Sequence, residues 1–314
     1  MEWNGSKEGM RFLDLTLHPL AVALAKEPAS PRDEETLSEI YETLRTWLFF
    51  AGSVLRRHES PFFSSPETET ETWDEQELLL RIVEKGENIS ADDPRLLKYI
   101  KNYVLIPPLP SDIPYNLTKP QSHFSQFPDQ IAFLQSTFEN FTGGFFIEAG
   151  AYDGEMFSNT LWLERERKWT GLLVEPDARN FDSLKGKKRK AWLSHSCLSP
   201  IPYPQQMSLK GEGAGAEMTS KNQTDQNGQH LICFPLESFL SVIDQSKIDF
   251  FSLDIEGMDY EVLTSIPWDI LDIQIMMVES NKGTREQILK FMAEKNYRHA
   301  KKLKIDDVFE KPRS

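Results

Sequence analysis

The sequence contains few residues that bind metals or form cross-links. Its 314 residues include two cysteines and six histidines, and these do not show the spacing of a zinc site. Two cysteines indicate a reduced protein more often than a disulfide, although Cys197 and Cys233 would pair if neighbouring strands brought them together. A zinc protein is therefore not expected.

Long apolar runs are also missing. The best candidate, residues 47–55, has nine residues, whereas a helix that crosses a bilayer needs about 20. The first residues do not have the charged and then apolar pattern of a signal peptide. Asn-x-Ser/Thr sequences occur at Asn4, Asn88, Asn116, Asn140 and Asn222. Without an entry signal they count as chance matches, and the sequence predicts a cytoplasmic protein with no transmembrane segment.

Positive charge is in the minority. The chain has 35 Lys and Arg against 49 Asp and Glu, which gives a net charge of −14. A protein that binds a nucleic-acid backbone needs a basic face, so no nucleic-acid partner is expected. Residues 185–190 (KGKKRK) form the one dense basic cluster of the sequence, and a solvated helix end is favoured there over a phosphate-binding role.

The sequence divides into two regions. Residues 1–90, with a helical periodicity over 34–57 and an acidic linker over 61–76, are predicted to form a helical, partly disordered extension. Residues 91–314 are predicted to form one domain, because strand and helix patterns alternate over 142–310. This alternation predicts a doubly wound α/β sheet, in which ligands bind at the carboxyl ends of the strands.

Two stretches of the second region carry particular predictions. Residues 191–198 are expected to form one strand. Residues 209–229 are rich in Gly, Asn and Gln and have no apolar periodicity, so a surface loop is expected. This loop and the proline-containing segment 91–141 are expected to contact the second substrate.

The most informative pattern is a strand, a glycine turn and a second strand that ends in an acid. Residues 145–155 read FFIEAGAYDGE, and Glu175 closes the following apolar run. Glycine at 150 and 154 would let the backbone approach a ligand, and Glu175 would accept hydrogen bonds from ribose hydroxyls. Asp153 and Glu155 in the turn would repel a pyrophosphate. The pattern therefore indicates a cationic nucleoside, S-adenosylmethionine, although a glycine turn can also serve only a tight bend.

More acids follow other predicted strands. Asp254 and Glu256 are interpreted either as a general base with a second, orienting carboxylate or as caps of the next helix, with equal weight. Glu279 ends another strand at the same rim, so a divalent metal bound by oxygen ligands is a less favoured alternative. His195 is interpreted as a hydrogen-bonded core residue rather than a catalyst. Asn159 lies in a Ser-Asn-Thr sequence that would cap a helix or contact the cofactor.

The stretches EAGAYDGE…LLVEPD, KAWLSHSCLS, LDIEGMDYEVL and IMMVES together resemble the FkbM family of S-adenosylmethionine-dependent methyltransferases. Within that family, residues 91–310 are most similar to the Star-like branch of animals. The resemblance implies a class I, Rossmann-like methyltransferase fold and catalytic roles for Asp254 and Glu256. The implied cofactor contacts are Glu148, Gly150, Tyr152, Asp153, Gly154, Asn159, Glu175, Pro176, Cys197 and Asp254.

Two functions follow from the pattern and the resemblance. The first is an O-methyltransferase that uses S-adenosylmethionine to methylate a hydroxyl of a small or glycosylated acceptor. The alternative is a catalytically silent, Star-like protein in transport from the endoplasmic reticulum to the Golgi or in endosomal transport. That alternative implies a secretory cargo or peripheral membrane partner, and localisation in the endoplasmic reticulum or Golgi.

Overall fold

A computed structural model describes residues 75–122, 125–211, 217–220, 229–280 and 283–312. The helices within these ranges are α1 (Glu75–Val83), α2 (Pro94–Tyr99), α3 (Pro128–Phe138), α4 (Leu161–Arg167), α5 (Ala178–Gly186), α6 (Leu236–Val242), α7 (Asp259–Ser265) and α8 (Arg285–Glu294). The strands are β1 (Leu105–Ile106), β2 (Phe145–Ala149), β3 (Thr170–Val174), β4 (Trp192–Ser194), β5 (Cys197–Leu198), β6 (Gln205–Lys210), β7 (Glu217–Ser220), β8 (Gln229–Phe234), β9 (Lys247–Leu253), β10 (Asp272–Glu279), β11 (Arg298–Leu303) and β12 (Asp306–Glu310). None of the described helices is long and apolar enough to cross a membrane.

The larger of two sheets has eight strands in the order β1-β4-β3-β2-β9-β10-β12-β11. The strands from β4 to β10 in this order are parallel, while β1, β12 and β11 pair antiparallel with their neighbours. Among the parallel strands, chain order runs outward from β2 through β3 to β4 and from β9 to β10, so β2 and β9 flank a topological switch point. The predicted doubly wound α/β fold is confirmed.

Side-chain alternation in the central strands builds two cores and leaves polar groups at one edge. In β2, Phe145 and Ile147 pack into the core on one face of the sheet, and Phe146 packs into the core on the other. Glu148 follows two positions after Phe146, at the carboxyl end, and is buried. Ser252 lies near the carboxyl end of the neighbouring strand β9, directly opposite Glu148 in the strand register. The switch point therefore has polar side chains above an apolar sheet.

A smaller sheet, in the order β5-β8-β6-β7, corrects two predictions. The strand expected over 191–198 is two strands, because the chain leaves the larger sheet after Ser194 and joins the smaller one at Cys197. The loop expected over 209–229 begins inside β6 and contains β7. Leu209 and Met218 pack in a separate small core. The strands that carry them are too short to produce an apolar periodicity. Residues 212–216 and 221–228 lie outside the described ranges.

Residues before position 91 already pack into the core beside the larger sheet. Leu78 and Ile82 of α1 are buried in the same core as Leu96 of α2. Helix α2 is capped by Asp93, whose side chain accepts a hydrogen bond from the backbone of Arg95. The domain boundary after residue 90 stays a prediction. The helix expected over 34–57, and residues 61–74 of the expected linker, lie outside the described residues.

Candidate active site

A cavity that is open to solvent lies at the carboxyl ends of β2, β3 and β9. This is the switch point of the larger sheet, where doubly wound folds bind ligands. The smaller sheet contributes Met207, Leu209 and Met218 to one wall, and residues before and within α3 contribute Gln126 and Gln130.

The two glycines of the turn are required by the chain itself. Gly150 has φ +83°, and a Cβ there would lie 1.8 Å from the backbone oxygen of Asp254. Gly154 has φ +73°, and a Cβ there would lie 2.2 Å from Leu184 Cδ1. Gly150 lines the cavity, whereas Gly154 does not. Both glycines therefore serve a tight bend of the chain, and Gly150 also lines the cavity.

Glu175 links the glycine turn to the start of α5. Its carboxylate accepts hydrogen bonds from the backbone of Tyr152 at 2.7 Å and of Asp177 at 2.9 Å, and from Asn180 Nδ2 at 3.3 Å. Burial raises the pKa of Glu175 to about 7 despite these donors. When it is ionised, the Glu175 carboxylate lines the cavity and can accept further hydrogen bonds from a ligand.

Glu148 organises the loop that leads into α4. It accepts hydrogen bonds from Ser158 Oγ at 2.8 Å, Thr160 Oγ1 at 2.6 Å and the backbone of Asn159 at 2.6 Å. Burial raises its pKa. The Asn159 side chain donates through Nδ2 to Ser252 Oγ at 3.0 Å, but its buried Oδ1 has no hydrogen-bond partner among the described residues. Since Asn159 lines the cavity, this oxygen requires a donor from a ligand.

Two predictions about charge in the turn are wrong. Asp153 and Glu155 do not give the cavity its acidity, because Lys187 Nζ lies 3.4 Å from Asp153 Oδ2 and 2.7 Å from Glu155 Oε2. Glu155 also accepts hydrogen bonds from the backbone of Thr118 and Lys119 in the proline-containing segment. Neither acid lines the cavity. Their partners come from distant segments, which a reading of the turn alone does not reveal.

The basic run 185–190 is not simply a solvated helix end. Lys187 and Arg189 are buried, with exposed Lys188 between them. Arg189 Nε lies 3.0 Å from Glu164 Oε2, and its other nitrogens donate to the Gly154 carbonyl and to Thr160 Oγ1. Arg189 thus holds the glycine turn and the start of α4 together from below the cavity.

The structure rules out one of the two interpretations of Asp254 and Glu256, in which they cap the helix after β9. Helix α7 begins after Met258 without a side-chain cap, so neither Asp254 nor Glu256 caps it. Asp259 instead accepts hydrogen bonds from the backbone of Ile255 and Gly257. The strand ends before Asp254, and both Asp254 and Glu256 line the cavity.

Asp254 has the environment of a general base. No hydrogen bond to its carboxylate is present within the described residues. Burial, followed by the nearby charge of Glu279, raises its pKa well above the usual range. Glu256 holds φ +56°, a conformation that is uncommon for residues other than glycine and that concentrates at functional sites.

His195 and Cys197 lie just after β4, where the chain passes from the larger sheet to the smaller one. His195 stacks on Phe181, and its Nε2 lies 3.1 Å from the Pro176 carbonyl oxygen, as expected of a hydrogen-bonded core residue. Cys197 lines the cavity, but its sulfur is bonded to Cys233. The expectation of reduced cysteines is wrong because β5 and β8 place the two residues directly opposite each other.

The remaining predicted site residues can now be placed. Those that line the cavity are Glu148, Gly150, Tyr152, Asn159, Glu175, Pro176, Cys197, Asp254 and Glu256, whereas Asp153 and Gly154 do not. Sequence reasoning missed Gln130, whose Nε2 donates to Asp306, and the methionines of the smaller sheet. No signal in the sequence identified these residues. Within the described residues, no group of three or more His, Cys, Asp or Glu is arranged to hold a metal ion.

The acids around the cavity make stability depend on pH. Burial raises the pKa of Glu175 and Asp259 to about 7 and of Asp306 to about 6, above the ordinary values of about 4. These three acids contribute fully to the free energy of unfolding below pH about 4, and this contribution is lost as the pH rises through 6 and 7. Burial lowers the pKa of His195, which makes stability rise with pH, but this opposing effect comes from a single residue. The urea midpoint of the free protein is therefore expected to fall from pH 5 to pH 8, and an unchanged or higher midpoint at pH 8 would contradict this.

Comparison with known proteins finds a family match for part of the chain. Residues 148–299 match the family described as Methyltransferase FkbM domain. A search of curated proteins finds no significant match. Similar solved structures include methyltransferase FkbM from Methylobacillus flagellatus, with 13% identity, TM-score 0.38 and coverage of 59% of this chain and 48% of that one.

Two further structures have comparable similarity. The METTL16 MTase domain has 10% identity, TM-score 0.35 and coverage of 57% of this chain and 64% of that one. Phosphoethanolamine N-methyltransferase 2 of Haemonchus contortus, in complex with S-adenosyl-L-methionine, has 10% identity, TM-score 0.29 and coverage of 54% and 36%. This chain spans less than two thirds of each of the three structures, and TM-scores this low carry no argument about acceptor or mechanism. The family match covers residues 148–299, slightly less than half of the chain, and it supports S-adenosylmethionine as the cofactor.

Proposed function

We propose that this protein transfers a methyl group from S-adenosylmethionine to a hydroxyl oxygen of a small or glycosylated acceptor. The observation that carries the proposal is the position of Asp254. Its carboxylate lines the cavity at the switch point, receives no hydrogen bond from the described residues and has a raised pKa. A carboxylate that lies at the cavity and has a raised pKa is suited to accept a proton from an acceptor hydroxyl.

The residues around the cavity fit the cofactor. Glu175 would accept hydrogen bonds from the ribose hydroxyls, as an acid at the end of the second strand does in nucleoside sites. Leu198, Met207 and Leu209 give an apolar wall for the adenine. The unpartnered Asn159 Oδ1 would accept a hydrogen bond from an ammonium group.

The mechanism assigns separate tasks to the two ends of the cavity. When bound, S-adenosylmethionine would be held by Glu175 and Asn159 and would supply an electrophilic methyl group. Asp254 accepts the proton of the acceptor hydroxyl on a carboxylate oxygen, while Glu256 orients the acceptor from the same loop. Glu148 keeps the loop before α4 in place through Ser158 and Thr160. Positioning of the oxygen in line with the methyl group provides much of the rate acceleration.

Replacement of Glu175 by alanine tests the cofactor assignment. We expect binding of S-adenosylhomocysteine to weaken about 100-fold, because the ribose loses a charged acceptor and the Tyr152 backbone loses its partner. Isothermal titration calorimetry measures the effect. Asp182→Ala is the matched control, since Asp182 is an exposed acid on the neighbouring helix α5 that pairs with Lys185 and does not line the cavity. Equal affinity in Glu175→Ala and the native protein would refute the assignment.

We also propose that this domain matures in an oxidising secretory compartment, not in the cytoplasm. The Cys197–Cys233 disulfide supports this, since cytosolic thiols are kept reduced. Asn88 and Asn140 are exposed, whereas the Asn116 amide nitrogen is bonded to the Gly186 carbonyl. Protein from its native cells should show glycan mass on Asn88 or Asn140 that N-glycosidase removes, and no alkylatable cysteine before reduction. Unmodified asparagines with two free thiols would refute it.

The trafficking role implied by the Star-like resemblance stays a hypothesis. No feature of the described site favours cargo binding over methyl transfer. A secretory location is compatible with either function and does not decide between them.

A further inference from the structure

We propose that Asn140 carries an N-linked glycan, and that the first N-acetylglucosamine of this glycan covers the ring of Phe141 at a second pocket of the protein. The inference rests on the proposed maturation in a secretory compartment, and it adds which asparagine is modified and what the glycan contacts. Three observations carry it: an exposed Asn-x-Thr sequence, an exposed aromatic ring beside it, and the composition of the pocket that this ring lines.

Asn140 lies in the turn that follows α3. Residues 140–142 read Asn-Phe-Thr, and the asparagine and the threonine are both exposed. The backbone N–H of Phe141 donates to the carbonyl of Phe138 at 3.1 Å, which closes the turn. Exposed Asn-x-Thr sequences are the acceptors of N-linked glycans in secreted proteins. The Nδ2 of Asn116, by contrast, already donates to a backbone carbonyl at 3.0 Å.

The ring of Phe141 is partly exposed but held in place. Phe141 is 38% exposed, and its ring packs edge-on against Trp169 with the ring centroids 5.1 Å apart. Trp169 Nε1 also donates to the Phe141 carbonyl at 3.2 Å. One face of a pyranose ring presents mainly C–H groups, so stacking this face on the aromatic ring removes apolar surface of both from water. Because adjacent Cα atoms are about 3.8 Å apart, the first sugar on Asn140 can reach the ring.

Phe141 also lines a second pocket, near the amino ends of β9 and β10. This pocket combines the rings of Phe138 and Phe141 with the amide of Gln274 and with charged side chains. An aromatic ring beside planar polar side chains offers a surface for stacking and hydrogen bonds for hydroxyl groups. The candidate active site lies at the carboxyl ends of the strands of the same sheet, so a glycan at the second pocket leaves that cavity open.

The charges of the second pocket favour a neutral ligand. All five charged residues of its lining form ion pairs within the protein: Lys247 with Asp249, Arg298 with Glu310, and Lys311 with Asp272. An anion or a cation would have to displace one of these partners. The hydroxyl and acetamido groups of a sugar both donate and accept hydrogen bonds, so they can bind beside the pairs and leave them in place.

The attachment needs a glycosyl donor, which the secretory pathway supplies as an oligosaccharide linked to a polyprenyl diphosphate. A bond forms between Asn140 Nδ2 and the anomeric carbon of the first sugar, and the amide nitrogen loses one proton. The anomeric C–O bond of the donor breaks, and its electron pair stays on the diphosphate. The modified asparagine is neutral, so the attachment leaves the charge beside the pocket unchanged.

Peptide mapping by mass spectrometry tests the site on protein from its native cells. We expect N-glycosidase to release a glycan from Asn140. Disulfide-bonded protein with a glycan on Asn88 but none on Asn140, or with no glycan at all, would overturn this inference alone. Free thiols together with unmodified asparagines would overturn the proposed secretory maturation, and the inference with it.

Nuclear magnetic resonance tests the contact between the sugar and the ring. The full chain, secreted from cultured cells with a ¹³C-labelled glycan, is trimmed by endoglycosidase to a single N-acetylglucosamine. We expect the C–H signals of the sugar on Asn140 to shift upfield, because an aromatic ring shields protons above its face, and this shift to disappear in Phe141→Leu. Unshifted signals, or a dimer that buries Phe141 in the glycosylated protein, would argue against the proposed contact and overturn the inference.

A double-mutant cycle measures what the contact contributes to stability. Asn140→Gln should lower the Tm of the glycosylated full chain by about 2–4 °C, the shift expected when about 40 Å² of apolar surface is uncovered in a domain of this size. In a Phe141→Leu background the same substitution should lower the Tm by no more than about half as much. Asn88→Gln is the matched control, since Asn88 is also exposed and does not line the pocket, and its effect should be the same in both backgrounds. An effect of Asn140→Gln that does not depend on Phe141 would show that glycan and ring do not interact.

Discussion

Gly150→Ala is expected to abolish S-adenosylhomocysteine binding and to lower the free energy of unfolding by about 2–4 kcal/mol. The new Cβ would lie 1.8 Å from the Asp254 backbone oxygen, and no side-chain rotation relieves a clash with backbone. The residue also holds φ +83°, which alanine adopts only with strain. Either β2 or the loop after β9 must move, and both line the cavity.

Gly186→Ala is the matched control for this substitution. Gly186 is the last residue of α5, does not have a positive φ, and a Cβ there would meet nothing within 4 Å. Alanine favours helix, so the free energy of unfolding should stay the same or rise by up to about 1 kcal/mol. Urea denaturation and calorimetry of both variants measure the contrast. Native-like binding by Gly150→Ala would show that the two segments are not packed as described.

Arg189→Met should lower the free energy of unfolding by about 3–5 kcal/mol, which is typical when one partner of a buried ion pair is removed. The side chains of Arg189 and Glu164 are 0% and 1% exposed, so the remaining carboxylate would be left buried without its counter-charge. The carbonyl of Gly154 would lose a donor as well. Cofactor affinity should fall with stability, since the glycine turn rests on this side chain.

A double-mutant cycle separates the ion pair from general packing. Adding Glu164→Leu to Arg189→Met should restore part of the lost stability, because the unpaired charge is then absent. Arg298→Ala is the comparison for an arginine in an exposed pair, with Glu310, and should change stability by no more than about 1 kcal/mol. Additive effects of Arg189→Met and Glu164→Leu would argue against a direct buried interaction.

The larger sheet could be predicted from sequence because its strands are buried on both faces. Continuous apolar runs such as β2 and β9, separated by helical patterns, leave few alternatives to parallel strands with crossover helices. The acids at the ends of these runs were predicted as site residues for the same reason. Glu148, Glu175 and Asp254 follow apolar strands, and the carboxyl ends of parallel strands meet at one edge.

Features that depend on distant partners could not be predicted. Glu155 is an acid in a promising turn, but its partners are Lys187 and the backbone of Thr118 and Lys119, more than 30 positions away. The smaller sheet has strands of two to six residues, too short for a reliable periodic signal. The Cys197–Cys233 bond likewise follows from the register of β5 with β8, which two isolated cysteines do not reveal.

The separation of the two sheets has a consequence for how this protein can change over evolutionary time. The polar residues of the cavity, such as Glu148, Glu175 and Asp254, lie at the ends of the central strands, whereas Met207, Leu209 and Met218 enter the cavity from a cross-linked sheet with its own hydrogen bonding. Substitutions in that sheet can reshape the apolar wall without disturbing the central core. The shape of the cavity can therefore change by drift in the smaller sheet, while selection keeps the polar groups of the larger sheet unchanged.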